Sequence, residues 1–203
     1  SKITDATLDS LRVPPHSIEA EQSVLGGLLL DNQAWDRIGD LVTDGDFYRD
    51  EHRRIFRQIR NLLEKAKPAD VVTVAEALDA AGEGEQTGGL AYLGELAANT
   101  PSAANIKRYA EIVRERAVLR QLVATADEIA ADALNPLGRD AETLLDEAES
   151  KIFKIAEAGA GHNEGFVHIN PLLTQVVERI QELHDRDNPS DITGVPTGFI
   201  DLD

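Results

Sequence analysis

The chain has 203 residues with 20 basic and 37 acidic side chains, which gives a formal net charge of −17 at pH 7. Such a charge disfavours an independent nucleic-acid-binding module, because these modules gain most of their affinity by neutralising phosphates with Lys and Arg. The sequence has no Cys, which excludes disulfides and thiolate metal sites, and no apolar run long enough for a membrane span. We therefore expect a cytoplasmic protein with no membrane partner.

The first predicted helix begins at Ser17, after a flexible arm over residues 1–16. Pro14 and Pro15 keep the preceding backbone extended, Ser17 can act as the N-cap, and acidic residues follow in the first turn. The pair Gly26-Gly27 in the middle of this helix costs roughly 1 kcal/mol per Gly relative to Ala. We therefore expect another part of the chain to pack very close to these glycines.

Residues 17–100 are predicted to form a small globular head made of short helices. Apolar residues recur at helical spacing within 47–64, again after a possible N-cap at Asp70, and again after Gly89. No segment shows a convincing strand alternation, and the abundance of Ala and Leu favours helix. The sequence therefore predicts an all-α fold.

The main basic stretch of the chain covers residues 52–60 and lies within one of these helices. At helical spacing its apolar residues form a buried stripe, and the arginines lie around that stripe. We interpret it as a solvated face of an acidic protein. The alternative is a patch that faces a partner or a nucleic-acid path.

Residues 101–157 are predicted to form an antiparallel helical hairpin. Pro101 and Ser102 open a long helix that runs to about Leu134, residues 135–138 break it, and Asp140 starts a second helix. Both helices carry a coiled-coil seam with apolar spacings of three and four. The seam residues are Leu119, Leu122, Ala126, Ile129 and Ala133, facing Ala141, Leu145, Ala148, Ile152 and Ile155.

Three further apolar residues, Val123, Leu144 and Phe153, fall beside this seam. They widen the apolar surface beyond what one hairpin can bury. We expect Leu144 and Phe153 to take part in self-association with a second copy of the chain. The alternative is that these residues pack on the chain's own head.

Residues 158–168 have the composition of a flexible linker, and residues 169–186 are expected to form a separate linker helix. Because flexible chain lies on both sides of this helix, its apolar face needs another surface, either on a neighbouring subunit or on the chain's own head. The residues expected to dock are Ile169, Leu172, Leu173, Val176, Ile180 and Leu183.

Three stretches of the chain, taken together, point to one protein family. They are residues 13–29, residues 100–116 and residues 193–202, which begin VPPHSIEAEQ, TPSAANI and TGVPTGFIDL. In this order and spacing they resemble the N-terminal domain and the motor lead-in of DnaB-type replicative DNA helicases. The last stretch alone is weak evidence, because related RecA-like ATPases share it.

The resemblance implies that the whole protein is an ATP-dependent DNA helicase. It would be a ring-shaped homohexamer that encircles single-stranded DNA and unwinds duplex DNA 5′ to 3′ with ATP and Mg²⁺. The N-terminal domains would pair through their hairpins as a trimer of dimers, and the linker helix would clasp the motor of the adjacent subunit. Primase would bind around the junction of head and hairpin, with Tyr92, Val123 and Ile129 as candidates, and a helicase loader or its phage-encoded equivalent would act on the ring.

The chain by itself is expected to catalyse nothing. It contains no G-x-x-x-x-G-K-[S/T] phosphate-binding loop, and its five His residues are scattered, so we predict no catalytic, cofactor-binding or metal-binding residue in it. Residues 187–203 resemble the lead-in to a RecA-like ATPase domain, and the chain is interpreted as the part of a helicase that precedes its motor. The alternative is a non-enzymatic acidic helical adaptor that binds other proteins.

Overall fold

The computed structural model describes residues 13–160. Within them three short 3₁₀ turns (Asn32–Ala34, Asp44–Asp46 and Glu85–Thr87) connect seven α-helices, and no strand occurs. The helices are α1 (Ile18–Leu30), α2 (Trp35–Ile38), α3 (Asp50–Glu64), α4 (Val71–Ala80), α5 (Gly89–Asn99), α6 (Ile106–Leu134) and α7 (Ala141–Ala160). The predicted all-α class is confirmed for this part of the chain. The predicted linker helix with its six docking residues and the predicted motor lead-in lie outside the described residues.

Helices α1 to α5 and the first turns of α6 enclose one hydrophobic core. Helix α1 contacts α3, α5 and α6 and therefore lies at the centre of this head. Fully burying one large apolar side chain stabilises the fold by about 1.5–3 kcal/mol, so this cluster is the main source of stability. Its largest fully buried apolar members are Leu25, Leu28, Ile38, Phe47, Ile55, Phe56, Ile59, Leu78, Leu93 and Ile106.

The predicted helix caps are present in the head. The Ser17 hydroxyl accepts a hydrogen bond from the Ala20 amide at 3.3 Å, as the start of α1 requires. Asp70 caps α4 by accepting from the Thr73 amide at 2.8 Å, and the Thr73 hydroxyl accepts in return from the Asp70 amide at 2.9 Å. This reciprocal pair satisfies two backbone donors at the start of α4.

The close packing predicted at the glycine pair is present between α1 and α5. A Cβ atom at Gly26 would overlap the Thr100 hydroxyl and the Leu96 carbonyl oxygen. At Gly27 a Cβ atom would come within 3.0 Å of the Ile106 side chain. The two glycines therefore let α1 approach both α5 and the beginning of α6.

Helix α6 begins later than predicted, at Ile106 and not after Pro101. Local hydrogen bonds explain the difference, because the Ser102 hydroxyl accepts from the Ala104 amide and the Ile106 amide donates to the Ala103 carbonyl. These bonds form tight turns that replace a first helical turn. From Ile106 the helix has 29 residues, a length of roughly 44 Å at 1.5 Å per residue.

The contact between α6 and α7 contains much of the predicted seam. The groove between the two helices is lined by the predicted seam residues Ile129, Ala133, Ala141, Leu145 and Ala148. Leu144, predicted to lie beside the seam, is half-buried and lines the same groove, whereas Leu145 is 70% exposed and the predicted seam residue Ile152 is also exposed. Lys151, which an apolar pattern ignores, is half-buried and binds Asp132 of α6 at 3.0 Å.

Two segments expected to be flexible have ordered ends. Helix α7 continues to Ala160, three residues into the expected linker. At the other end, the His16 ring stacks on Tyr48 with 4.3 Å between the ring centroids, and the Pro15 carbonyl accepts from Arg120 at 2.7 Å. Residues 13–16 are therefore anchored to the head and to α6.

Candidate protein-interaction surfaces

Tyr92, the predicted primase contact in the head, lies on α5 and is half-buried against the core. Its hydroxyl lies 2.6 Å from His52 Nε2 and accepts a hydrogen bond from Gln22 Nε2 at 3.3 Å. The polar tip of Tyr92 therefore faces the interior of the head. The exposed part of the ring is what remains for contact with a partner.

The hydroxyl of Tyr92 is the end of a buried polar network that the sequence did not reveal. The fully buried His52 places Nδ1 2.9 Å from Glu21 Oε1, and the Glu21 carboxylate is 1% exposed. Glu21 also accepts from the amides of Tyr48 at 2.9 Å and Arg49 at 3.3 Å. Buried polar groups need such partners, and here the partners connect α1, the start of α3 and α5.

A polar cavity of about 250 Å³ lies beside the Tyr92 ring, between α1 and α5. Two carboxylates, Glu19 and Glu95, are part of its wall. The rest of the lining consists of Gln22, Ser23, Leu96, Asn99 and Thr100. Within the head, this is where the exposed part of Tyr92 meets solvent.

The hairpin carries the other predicted site residues. Ile129 and Leu144 line one groove between α6 and α7, together with Ala133, Ala148 and Asp132. The structure therefore brings a predicted primase residue and a predicted self-association residue to the same place. Tyr92, which packs on the core of the head, does not share this groove.

Val123 and Phe153 are half exposed, at 50% and 49%. Because an α-helix has about 3.6 residues per turn, Val123 and Ile129 lie on different faces of α6. Leu122 and Ile152 are also exposed and add to the apolar surface beside them. Beyond Ala117 the side chains of α6 are exposed or half-buried, so the hairpin keeps most of its apolar surface open.

The tip of the hairpin exposes two leucines that were not predicted as interaction residues. Leu134 is 87% exposed and Leu137 is 80% exposed. Leu137 also has a φ of 50°, in the left-handed region that most L-residues avoid. Leu137 lies in the chain-breaking segment and Leu134 directly before it, and this position concealed them because such segments are expected to be polar. A large apolar residue there is the signal that could have found them.

Ion pairs join one edge of the hairpin. Arg139 binds both Asp132 and Glu147, and Lys151 binds Asp132 and, at 3.3 Å, Glu128. Hydrogen bonds from Lys151 and Arg139 hold the pKa of Asp132 below its ordinary value. These side chains are partly exposed, and single ion pairs at such positions contribute little to the free energy of folding. The pairs therefore set the register of α6 against α7 more than they stabilise the contact between the two helices.

The arginines of the basic stretch are occupied by partners within the chain. Arg57 and Arg60 both bind Asp44, at 3.0 and 2.9 Å, and Arg54 binds Asp50 at 2.7 Å. Burial acts to raise the pKa of Asp44, but the hydrogen bond from Arg57 and the charge of Arg60 outweigh it, so this pKa is lowered. A face neutralised in this way supports the interpretation of a solvated surface over a nucleic-acid path.

Residues 13–160 contain no group of three or more His, Cys, Asp or Glu side chains placed to hold a metal ion. In the same range, no helix is both long enough and apolar enough to cross a membrane.

Comparison with known proteins agrees with this description. The family model of the DnaB-like helicase N-terminal domain matches residues 13–115. The replicative DNA helicase DnaB of Haemophilus influenzae is 44% identical over 202 residues, which cover all of this chain and 43% of that protein. The chain therefore spans less than half the length of this relative.

Two solved structures are similar to the model. The crystal structure of the N-terminal domain of DnaB helicase from Mycobacterium tuberculosis matches with a TM-score of 0.67 and 39% identity, covering 70% of this chain and 99% of that one. A DnaB-like replicative helicase, solved to show its interactions with primase, matches with a TM-score of 0.59 and 27% identity, covering 90% of this chain and 39% of that one. By its family match, its relatives and its fold, the chain belongs to the DnaB-like helicase N-terminal domain family.

Proposed function

We propose that this chain is the N-terminal collar and linker region of a replicative DNA helicase, in which it assembles the subunits and binds primase. The parent protein would unwind duplex DNA 5′ to 3′ at the replication fork in the cytoplasm, around single-stranded DNA, as a homohexamer. The observation that carries the role of the collar is the open hairpin, whose apolar side chains remain uncovered along α6, α7 and the tip. The relatives matched along the chain support the activity of the parent.

Self-association is the first role of the hairpin in this proposal. Two hairpins packed face to face would bury Val123 and Phe153 together with their exposed neighbours, and apolar burial is the main favourable term in such association. Leu144, already half-buried in the groove, would gain less from a partner than Phe153. Three such pairs would form the trimer of dimers expected of the ring.

Changing Phe153 to Glu tests this role, because a charge in the interface would lose its hydration without a partner. Val72→Glu is a matched control, since Val72 is an exposed apolar residue on the head, outside the hairpin, and the change adds the same charge. Sedimentation of the purified chain should show a smaller assembly for Phe153→Glu alone. An equal mass for the original chain and both variants would refute self-association through this face.

Primase binding is the second role, with Tyr92, Val123 and Ile129 as the proposed contacts. A DnaB-like relative of this fold interacts with primase, which supports the assignment. Val123 is half exposed, so its replacement should not disturb the core, and sedimentation of the same variant separates a loss of primase binding from a loss of self-association. We expect Val123→Asp to weaken binding of the helicase-binding domain of primase without changing helicity, and unchanged binding would remove Val123 from the site.

The linker helix and the motor complete the proposal. The sequence contains no phosphate-binding loop, so no residue of this chain is assigned to ATP or Mg²⁺, which a motor domain would hold. The apolar stripe at 169–186 would dock on the motor of a neighbouring subunit, and a loader or phage-encoded equivalent would act on the assembled ring. In the complete helicase, Leu173→Asp with Ile180→Asp should loosen the ring and lower DNA-stimulated ATP hydrolysis, and normal hexamers with normal ATPase would refute this docking.

The alternative of a non-enzymatic acidic adaptor is not favoured, because the relatives matched along the whole chain are replicative helicases. Sequencing the gene beyond Asp203 distinguishes the two functions. A Walker A motif shortly after that residue is the expected result. A stop codon at that point would favour the adaptor.

A further inference from the structure

Asp46 is a buried carboxylate at the base of the hairpin, where three parts of the chain meet. The residue is 3% exposed, and its Oδ2 accepts from the Thr43 amide at 2.8 Å. Its Oδ1 accepts from Arg114 Nη1 of α6 at 2.7 Å, and its backbone carbonyl accepts from Arg120. The short turn that contains Asp46 is therefore tied to α6 through both a side chain and the backbone.

Arg114 extends this connection to the end of α7. Its second terminal nitrogen, Nη2, donates to the Ala158 carbonyl at 3.0 Å. Ala158 lies in the last turn of α7, where backbone carbonyls have no partner within the helix and a positive charge is favourable. Among residues 13–160, this is the hydrogen bond that joins the last turn of α7 to the base of α6.

We propose that Arg114 is a positioning residue that fixes the last turn of α7 against the globular head. One guanidinium binds the head carboxylate of Asp46 and the α7 carbonyl of Ala158 at the same time, and we name this arrangement the Arg114 bridge. Two divergent donors on one planar group are a property of Arg that Lys lacks. The direction in which the chain leaves the hairpin is then set by the head.

Other contacts already hold α6 on the head, so the Arg114 bridge affects the orientation of α7 more than the folding of the head. Helix α6 remains attached to the head without the bridge, because Ile106, Ala110, Val113 and Ala117 are buried there. Arg120 adds bonds to the Pro15 and Asp46 carbonyls. In the last turn of α7 Gly159 is buried while Glu157 and Ala158 are exposed, so the hydrogen bond from Arg114 is the polar contact that fixes the carbonyl end of this turn. Loss of the bridge should therefore loosen the last turn of α7 while the head stays folded.

This inference adds a positioning role to the collar but does not depend on helicase activity, because the test uses this chain alone. The chain has no Cys, so two introduced cysteines can carry spin labels without background. One label at Val72→Cys, which is exposed on the head, and one at Glu157→Cys, which is exposed on α7, report the distance between the two parts. Double electron–electron resonance then gives the distribution of distances between the two spin labels and its width.

Two variants of Arg114 separate the bridge from its charge. Arg114→Lys keeps a positive charge for Asp46 but cannot reach both partners in the same geometry, and Arg114→Gln removes the charge. Arg108→Gln is the control, because Arg108 is exposed on the same helix and pairs with Glu111 one turn away. Each variant is first checked for unchanged helicity.

The bridge predicts a broader distance distribution in Arg114→Lys and Arg114→Gln and no change in Arg108→Gln. Amide hydrogen exchange over residues 155–160 should become about three- to tenfold faster in both Arg114 variants, as expected for the loss of one hydrogen bond. A lower melting temperature with unchanged distances and exchange would overturn the inference, because Arg114 would then stabilise the head alone. The inference also fails if Arg114→Lys behaves like the original chain, because charge alone would then suffice.

Discussion

Replacing Gly26 by Ala should destabilise the head, although the same change elsewhere in a helix stabilises it. Helices α1 and α5 meet at Gly26, where an added Cβ atom would overlap the Thr100 hydroxyl and the Leu96 carbonyl oxygen. These two atoms already form a hydrogen bond with each other, at 2.8 Å. Thr100 can rotate away only by giving up this bond, and the Leu96 oxygen belongs to the backbone and cannot rotate away.

The magnitude follows from three opposing contributions. The Ala side chain favours helix over Gly by about 1 kcal/mol. Overpacking a well-packed site costs about 1–3 kcal/mol, and the lost hydrogen bond costs about 0.5–1.5 kcal/mol. The free energy of unfolding should therefore fall by about 2 kcal/mol, since the steric and hydrogen-bond losses exceed the gain in helix propensity.

Gly94→Ala is the matched control, because Gly94 lies within α5 and a Cβ atom there would meet nothing within 4 Å. That variant should gain about 1 kcal/mol from helix propensity alone. Urea unfolding followed by circular dichroism gives both changes in free energy, provided that the slope of the transition is unchanged. Equal stability of the two variants would refute the close approach of α1 and α5 at Gly26.

Three further predictions concern stability. Tyr92→Phe removes the partner of the buried His52 Nε2 and should lower the free energy of unfolding by about 1–3 kcal/mol in urea unfolding, whereas no loss would mean that the network contributes nothing. The pKa of Asp132 is lowered in the folded hairpin, so its stabilisation is present above its ordinary value of 3.8 and is lost as the pH falls through the folded value. Asp132→Asn should therefore flatten the fall in melting temperature between about pH 5 and pH 2, and an equally steep fall would contradict this role. Ala66 directly follows the C-cap of α3 and has a φ of 54°, so Ala66→Gly should raise the melting temperature by relieving backbone strain, and a lower melting temperature would contradict that strain.

The sequence predicted those features whose causes lie within a few residues. Ser17 and Asp70 cap their helices because a hydroxyl or carboxylate can reach an amide one turn ahead. Gly26 indicated a close contact because a glycine in the middle of a helix lowers the stability of that helix. Close packing against another part of the chain is a reason for a glycine to occur there. What the sequence could not name was the partner, since Thr100 lies far along the chain.

The buried network at Glu21 was missed because a local explanation already accounted for that residue. A glutamate in the first turn of a helix is favoured by the helix dipole, so nothing pointed to burial. Its partner His52 is 31 residues away, and Tyr92 is 40 residues beyond His52. For the same reason the sequence could not show that the Tyr92 hydroxyl is bonded to His52 and Gln22 inside the head.

Two members of the hairpin contact were missed for a different reason. An apolar pattern scores Lys151 as a surface residue, but a long charged side chain can lie on an inner face and carry its charge to a partner at the edge. Counting only apolar residues therefore left Lys151 out of the contact. It also placed Leu144 beside the seam, although Leu144 lines the groove together with Leu145 and is the more buried of the two.

Asp46 is a residue whose partners the sequence could not indicate, and those partners join the head to the hairpin. It lies in the short turn Asp44–Asp46, but its partners Arg114 and Arg120 lie 68 and 74 residues further along the chain. A buried ion pair is a costly way to stabilise a protein, and it specifies geometry where the partners fit. The chain places this pair at the joint between head and hairpin and leaves the seam of the hairpin open and apolar. In the proposed collar, a rigid joint would let each chain fix the position of its own hairpin. An open apolar seam would leave the surface of that hairpin free to be covered by a second chain.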